Sequence, residues 1–147
     1  METVIFDIDD TLADASRRKH WSAFKPHEFE AFFADIENDP VILPIKRMIT
    51  VMHNAGYNLV VATGRSEKYR DGTLKWLENN GMKSDFDDFW FRKDGDYRDD
   101  TIVKYEMLLD MRAKGYNPVY AFDDRDRVVK MWRDNGLTCF QVTEGNF

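Results

Sequence analysis

Cysteine is nearly missing from this sequence: the single Cys139 among 147 residues excludes an intrachain disulfide framework and a multi-cysteine zinc site. Four prolines and eight glycines are too few for a collagen-like or low-complexity chain. The three histidines, His20, His27 and His53, are scattered along the sequence and read as surface or hydrogen-bonded side chains rather than metal ligands. Positive charge is in deficit, because 21 basic against 27 acidic side chains leave a net charge of −6. That balance argues against a whole-surface electrostatic grip on nucleic acid, although a local basic cleft remains open to it. No run approaches the roughly 18 apolar residues of a membrane-spanning helix. The opening METVIFDID lacks a basic segment followed by the apolar stretch of a signal peptide. The expected location is therefore the cytoplasm, with no membrane partner.

What is present is core-forming material: 43% hydrophobic residues, 14% aromatic residues and seven methionines. Disordered chains do not carry that much buriable surface, and the length suits one domain, residues 1–147. Four short apolar runs read as strands: Thr3 to Ile8, Asn58 to Thr63, Val119 to Asp123 and Leu137 to Val142. Asp88 to Arg92 is a weaker fifth. Helical spacing lies between them. Ile45, Met48, Ile49 and Met52 repeat at i, i+3, i+4, i+7 and stop at Gly56. Tyr69, Thr73, Trp76 and Leu77 do the same before Asn80-Gly81, and Val128, Val129 and Trp132 before Asn135-Gly136. Ile102, Tyr105, Met107, Leu108 and Leu109 form another apolar helix, closed by Gly115. Strands alternating with helices predict βαβ units and a three-layer α/β/α sandwich around a mainly parallel five-stranded sheet. Ala13 to Pro44 breaks the rhythm. This aromatic, mostly helical stretch, with Phe29, Phe32 and Phe33 at i, i+3, i+4, reads as a small insert after the first strand.

Ligands of open parallel sheets bind beyond the carboxyl ends of the strands. Those ends carry Asp7-Ile8-Asp9-Asp10, Thr63-Gly64-Arg65, Arg92-Lys93-Asp94 and Asp123-Asp124-Arg125. Two strands thus bring clustered carboxylates to one edge, which is costly unless a cation sits there. An all-oxygen donor set without histidine suits Mg2+. On an extended chain Asp7 and Asp9 share a face, so one can serve as nucleophile or metal ligand and the other as general acid and base. Thr63 and the amides around Gly64 can donate to phosphoryl oxygens, and Arg65 can bind phosphate bidentately. Lys104, on the following helix, can return to neutralise a carboxylate. The competing structural explanation is that these aspartates cap helices and turns. It is the better account of Asp10, Asp94, Asp96 and Asp126, and a weak one for Asp7, which follows Val4-Ile5-Phe6 directly.

DIDDTL, ATGR, the lysine of TIVK and FDD, in this order, resemble the four motifs of the haloacid dehalogenase-like phosphotransferase superfamily. The second half, GDYRDDTIVKYEML and AFDDRDRVVKMWRDNGLTCFQVTEGNF, is similar to the 3′-phosphatase domain of phage-type polynucleotide kinase/phosphatases. The resemblance implies that Asp7 attacks phosphorus to give an aspartyl-phosphate. Asp9 then protonates the leaving oxygen and later deprotonates water, Thr63 fills the second-motif position and Lys104 the third. It further implies Mg2+ held by Asp7, the Asp9 carbonyl and the fourth-motif acid, with Asp124 favoured as direct ligand and Asp123 as its neighbour. Gly64, Arg65 and Arg92 fall where the family contacts substrate. No G-x-x-x-x-G-K-[ST] occurs, so the 5′-kinase half is not in these residues.

The expected activity is that of a Mg2+-dependent phosphomonoesterase acting on a 3′-phosphorylated nucleic-acid end. Free nucleotides or other small phosphate esters are the alternative substrates, and a non-catalytic phosphate-binding module is the alternative class. Dehalogenation fits poorly, since it needs neither the cation cluster nor Asp9. The insert lies where caps of the superfamily select substrates. Arg17, Arg18, Lys19, Trp21 and Lys25 offer either a basic, aromatic surface that stacks a base or a solvated helix face with Trp21 in the core. Of the remaining aromatics, Trp76 and Trp132 read as packing, and Trp90 borders the proposed cleft with either face free.

Overall fold

The computed structural model describes residues 2–21 and 25–147, without the side chains at positions 26 and 29, so the expectation for Phe29 lies outside the described residues. Five parallel strands, β1 (Glu2–Phe6), β2 (Asn58–Ser66), β3 (Asp88–Arg92), β4 (Asn117–Asp123) and β5 (Thr138–Gln141), are ordered β3-β2-β1-β4-β5. Five α-helices accompany them: α1 (Pro26–Phe33), α2 (Leu43–Asn54), α3 (Arg70–Asn79), α4 (Asp100–Ala113) and α5 (Asp126–Asp134).

Strand pleating sorts β1 between two cores. Val4 and Phe6 face α2 and α3, joining Ile45, Ile49, Trp76 and Leu77, whereas Ile5 faces α4 and α5 with Val103, Leu108, Val128 and Trp132. Both faces being covered explains why the strands read as unbroken apolar runs. The chain moves outward through β2 and β3 with its helices on one face, then returns to β4 and β5 with its helices on the other. Right-handed crossovers require that change of face. The strand order reverses between β1 and β4, and the crevice at such a reversal is where α/β sheets bind ligands.

Local chemistry sets the boundaries. α2 closes at Gly56, whose φ of +93° is the left-handed conformation that lacks a Cβ penalty only for glycine. α4 opens on Asp99, whose side chain accepts the Thr101 N–H at 3.0 Å. β1 is shorter than the sequence suggests, because the Ile8 carbonyl collects the N–H groups of Thr11, Leu12 and Ala13 and turns the chain out of the sheet. Asp10 sits in that turn with φ +60°, which aspartate tolerates better than most residues, and its carboxylate accepts the Ala15 N–H at 3.2 Å. β2 is longer than expected and reaches Ser66, which pairs with Arg92 of β3. In the segment between β1 and α2, Phe32, Phe33 and Ile36 form a separate small core with Tyr69.

Candidate active site

Pairing of Phe6 with Phe122 puts the next residues of both strands, Asp7 and Asp123, at the reversal point. The Asp7 N–H extends the ladder to the Phe122 carbonyl at 3.1 Å. Asp124 follows, and carboxylate oxygens of Asp7, Asp123 and Asp124 all lie within 4.8 Å of one another, the residues being buried. Lys104 reaches them from α4: its Nζ donates to Asp7 Oδ1 at 3.0 Å and Asp123 Oδ2 at 2.9 Å. One ammonium does not balance three carboxylates. Burial, followed by the charge of Asp123, pushes the Asp7 carboxyl well above the ordinary range, and the same two causes push Asp124 up to about 7. Lys104 is held above its usual value, since its carboxylate neighbours outweigh the cost of burial.

The two members of the fourth-motif pair differ. Asp123 spends both oxygens on protein donors, Lys104, the Trp132 indole at 3.1 Å and the Asp124 N–H at 2.8 Å. Among the described residues the side-chain donor to the Asp124 carboxylate is the Thr11 hydroxyl at 3.4 Å. Donor chemistry and unbalanced charge both fit a hard divalent cation, with Asp124 the more available oxygen ligand.

Asp9 stands apart from this trio. Its carboxylate accepts from Arg65 Nε at 3.1 Å and Nη2 at 2.8 Å, and from Arg18 Nη2 at 2.5 Å. Burial alone would raise its pKa, but Arg65 and then Arg18 more than reverse that and bring it to about 2. Arg18, from the insert, also bonds both oxygens of Asp39 and the Phe32 carbonyl. Asp39 is buried, as is Arg18.

A cavity of about 310 Å³ opens over these groups, lined by Asp7, Asp9, Gly64, Arg92, Lys104, Asp123 and Asp124 among others. Two expected phosphate contacts are placed otherwise. Arg65 is fully buried outside that lining, committed to Asp9 and the Thr73 hydroxyl. Arg92 lines the cavity but clamps backbone, donating to the Gly64, Asp96 and Arg98 carbonyls and pairing with Asp100. Thr63 is buried too, with its hydroxyl accepting the Arg65 N–H at 3.1 Å. Asp7 reaches the cavity from the end of β1, where its N–H still extends the ladder, and Asp9 from the turn that follows. Asp94, Asp96 and Asp126 bond neighbouring backbone or side chains, as turn and cap residues do.

Trp90 belongs to the core, its indole donating to Asp110 at 2.8 Å, so it does not border the cleft. The basic patch expected on the insert is reduced by pairing: Arg17 binds Asp35 and Asp39 and Arg18 is buried, whereas Lys19, which meets Asp10 at 2.9 Å, still lines the cavity and Lys25 is exposed. Trp21 is 42% exposed and not in the core. Three participants escaped sequence reasoning: Asp39 lies in the insert without a motif, Arg125 was passed over beside the acid pair, and Asp100 hid as a helix-start aspartate. Arg18, expected on a basic surface, instead pairs with Asp9 and Asp39. The one signal for Asp100 was its position four residues before Lys104 on α4.

A sheet reversal carrying buried carboxylates, a lysine from the third helical crossover and a small insert after β1 define a phosphatase of the haloacid dehalogenase-like class. Its fold is shared with a haloacid dehalogenase-like family hydrolase from Streptococcus pneumoniae, at a TM-score of 0.66 and 15% identity over 95% of this chain and 83% of that one. More specifically, residues 1–147 match the family described as the polynucleotide kinase PNKP phosphatase domain, and the chain belongs to that family. It is similar to a chain of the Pnkp1/Rnl/Hen1 RNA repair complex, with a TM-score of 0.84 and 31% identity. It is 26% identical to a candidate bifunctional polynucleotide kinase/RNA ligase of Autographa californica nuclear polyhedrosis virus. The match covers 99% of this chain but 43% of the repair-complex chain, and 95% of this chain but 19% of the viral protein.

Proposed function

We propose that this phosphatase removes the phosphate from 3′-phosphorylated nucleic-acid ends, with the insert at about 13–44 acting as a small cap within a single domain. The convergence of Asp7, Asp123, Asp124 and Lys104 beneath one open cavity carries this reading. The family membership directs it to a polynucleotide end.

Asp7, the Asp9 carbonyl and Asp124 would hold Mg2+, which would supply charge neutralisation for the phosphoryl oxygens. Asp7 attacks phosphorus in line, the ester P–O bond breaks, and an aspartyl-phosphate forms. Lys104 opposes the upward push that burial and Asp123 exert on the Asp7 carboxyl, and it fixes the direction of that carboxylate by the 3.0 Å bond. Asp9 delivers a proton to the departing sugar oxygen and afterwards takes one from the water that hydrolyses the intermediate. Its ionised state between Arg18 and Arg65 suits the second role. For the first role Asp9 takes up a proton from solvent before attack, an uptake that the negative charge of a bound substrate favours. Thr63, whose hydroxyl proton is left over after it accepts from Arg65, and the amides around Gly64 donate to phosphoryl oxygens.

Phosphate release from a 3′-phosphorylated oligonucleotide, with and without Mg2+, tests this reading against nucleoside 3′-monophosphates at matched concentration. Activity that needs Mg2+, favours the oligonucleotide and disappears in Asp7→Asn, with the fold retained by circular dichroism, is expected. Preference for the free nucleotide would move the assignment to small phosphate esters, and an active Asp7→Asn would overturn the nucleophile.

A further inference from the structure

Two large aromatic side chains are left exposed where the cavity holds its carboxylates. Trp21, from the insert, is 42% exposed, and Phe147, from the segment after β5, is 44% exposed. Both line the same cavity as Asp7, Asp9 and Asp124, although they are 126 residues apart in sequence (147 − 21). Neither is tucked into the described hydrophobic clusters. Each has its backbone anchored and a neighbour beside its ring. The Trp21 N–H bonds the Arg18 carbonyl at 3.1 Å, and its indole rests 5.2 Å from the His20 ring. The carbonyl of Phe147 accepts from Arg125 Nε at 2.6 Å, with the Arg125 guanidinium 5.7 Å from the ring centre.

Exposed aromatics on backbone-anchored residues beside a polar reaction centre suit a flat π-face. The phosphate must sit at Asp7, so the group it is attached to lies toward the mouth of the cavity. We propose that Trp21 and Phe147 together form a nucleobase subsite, receiving the base of the nucleotide whose phosphate is removed. The proposal rests on the nucleic-acid-end reading and adds to it the feature that separates a nucleotide from any other alkyl phosphate. Base stacking on aromatic side chains contributes about 1–3 kcal/mol per base and tolerates every base. Recognition here is therefore of a base as such and not of its identity. Arg17 and Arg18 are spent on internal pairs, which leaves Lys19 as the insert's cation at this cavity, so stacking would add to a single cationic contact.

The test compares two oligonucleotides ending in a 3′-phosphate, one with a normal terminal nucleotide and one with an abasic tetrahydrofuran nucleotide. Wild type should favour the base-bearing end by about 10-fold or more in kcat/KM, expressed mainly in KM. Trp21→Ala and Phe147→Ala should each lower kcat/KM on the base-bearing end several-fold and leave the abasic end unchanged, with Trp21→Phe partly restoring the preference. Equal losses on both ends, or a wild type indifferent to the base, overturn the subsite while leaving the phosphatase reading intact. If wild type releases phosphate from neither end, the nucleic-acid-end reading itself fails. A variant that does not fold is identified by its melting curve, and the indifference of wild type to the base decides the matter without it.

Discussion

In the proposed reaction Asp9 would serve both stability and proton transfer. Two buried guanidinium groups hold it ionised, with a pKa of about 2 against an ordinary 3.8. A carboxyl whose pKa is lowered on folding adds stability above its unfolded value and loses it as pH falls through the folded one. The difference corresponds to about 2 kcal/mol, present at neutral pH and lost between about pH 4 and pH 2. Asp9→Asn should therefore lower the urea midpoint clearly at pH 7, with the gap from wild type shrinking below pH 4. A gap that stays constant down to pH 2 would show that the guanidinium pairing is not the source. At the same scale Arg65→Lys should impair turnover, because a single ammonium cannot reproduce the forked contact to Asp9 together with the bond to Thr73. Steady-state kinetics showing a lowered kcat is the expected outcome, and an unchanged kcat removes Arg65 from any role in orienting Asp9.

At the scale of elements, the sheet and its four flanking helices were legible because each carries a periodic pattern: strands buried on both faces are apolar throughout, and α2, α3, α4 and α5 end at or near glycines. The strand-end aspartates were legible for the same reason, since Val4-Ile5-Phe6 leaves Asp7 nowhere to be except at the buried end of β1. What sequence could not show was pairing across elements. Arg65 and Arg92 read as free cations in a motif, yet each finds its partner 56 or 8 residues away, in Asp9 and Asp100. The insert kept its secret for a similar reason, since its polar residues are satisfied by contacts without a repeat. Close approach of β2 to α4 supplies a prediction of this kind. A Cβ at Gly64 would stand 2.8 Å from Asp100 Oδ1, and Asp100 is tethered by both Arg92 and Arg125, so it cannot easily yield. Gly64→Ala should displace the start of α4, and with it the Lys104 ammonium, reducing kcat by an order of magnitude or more. Full activity in Gly64→Ala would mean that α4 slides without cost.

The whole molecule carries a net charge of −6, and its most conspicuous basic side chains near the cavity are spent on internal pairs. A polynucleotide reaching this site is repelled by the surface as a whole and attracted only at the reaction centre and the aromatic mouth. Few of its phosphates are then neutralised by protein cations, and few counterions are released on binding. For a single strand the slope of log affinity against log salt is about −0.7 per phosphate contacted. One or two contacts give a slope between about −0.7 and −1.4, far shallower than that of a protein tracking a long backbone. Length should matter as little as salt. The KM for a 3′-phosphorylated trinucleotide should lie within a few-fold of that for a 20-mer of the same 3′ sequence, and both should respond weakly between 50 and 200 mM salt. A KM that falls steadily with oligonucleotide length and climbs steeply with salt would show an extended basic track elsewhere on the molecule, and the acidic surplus would then be misleading about its partner.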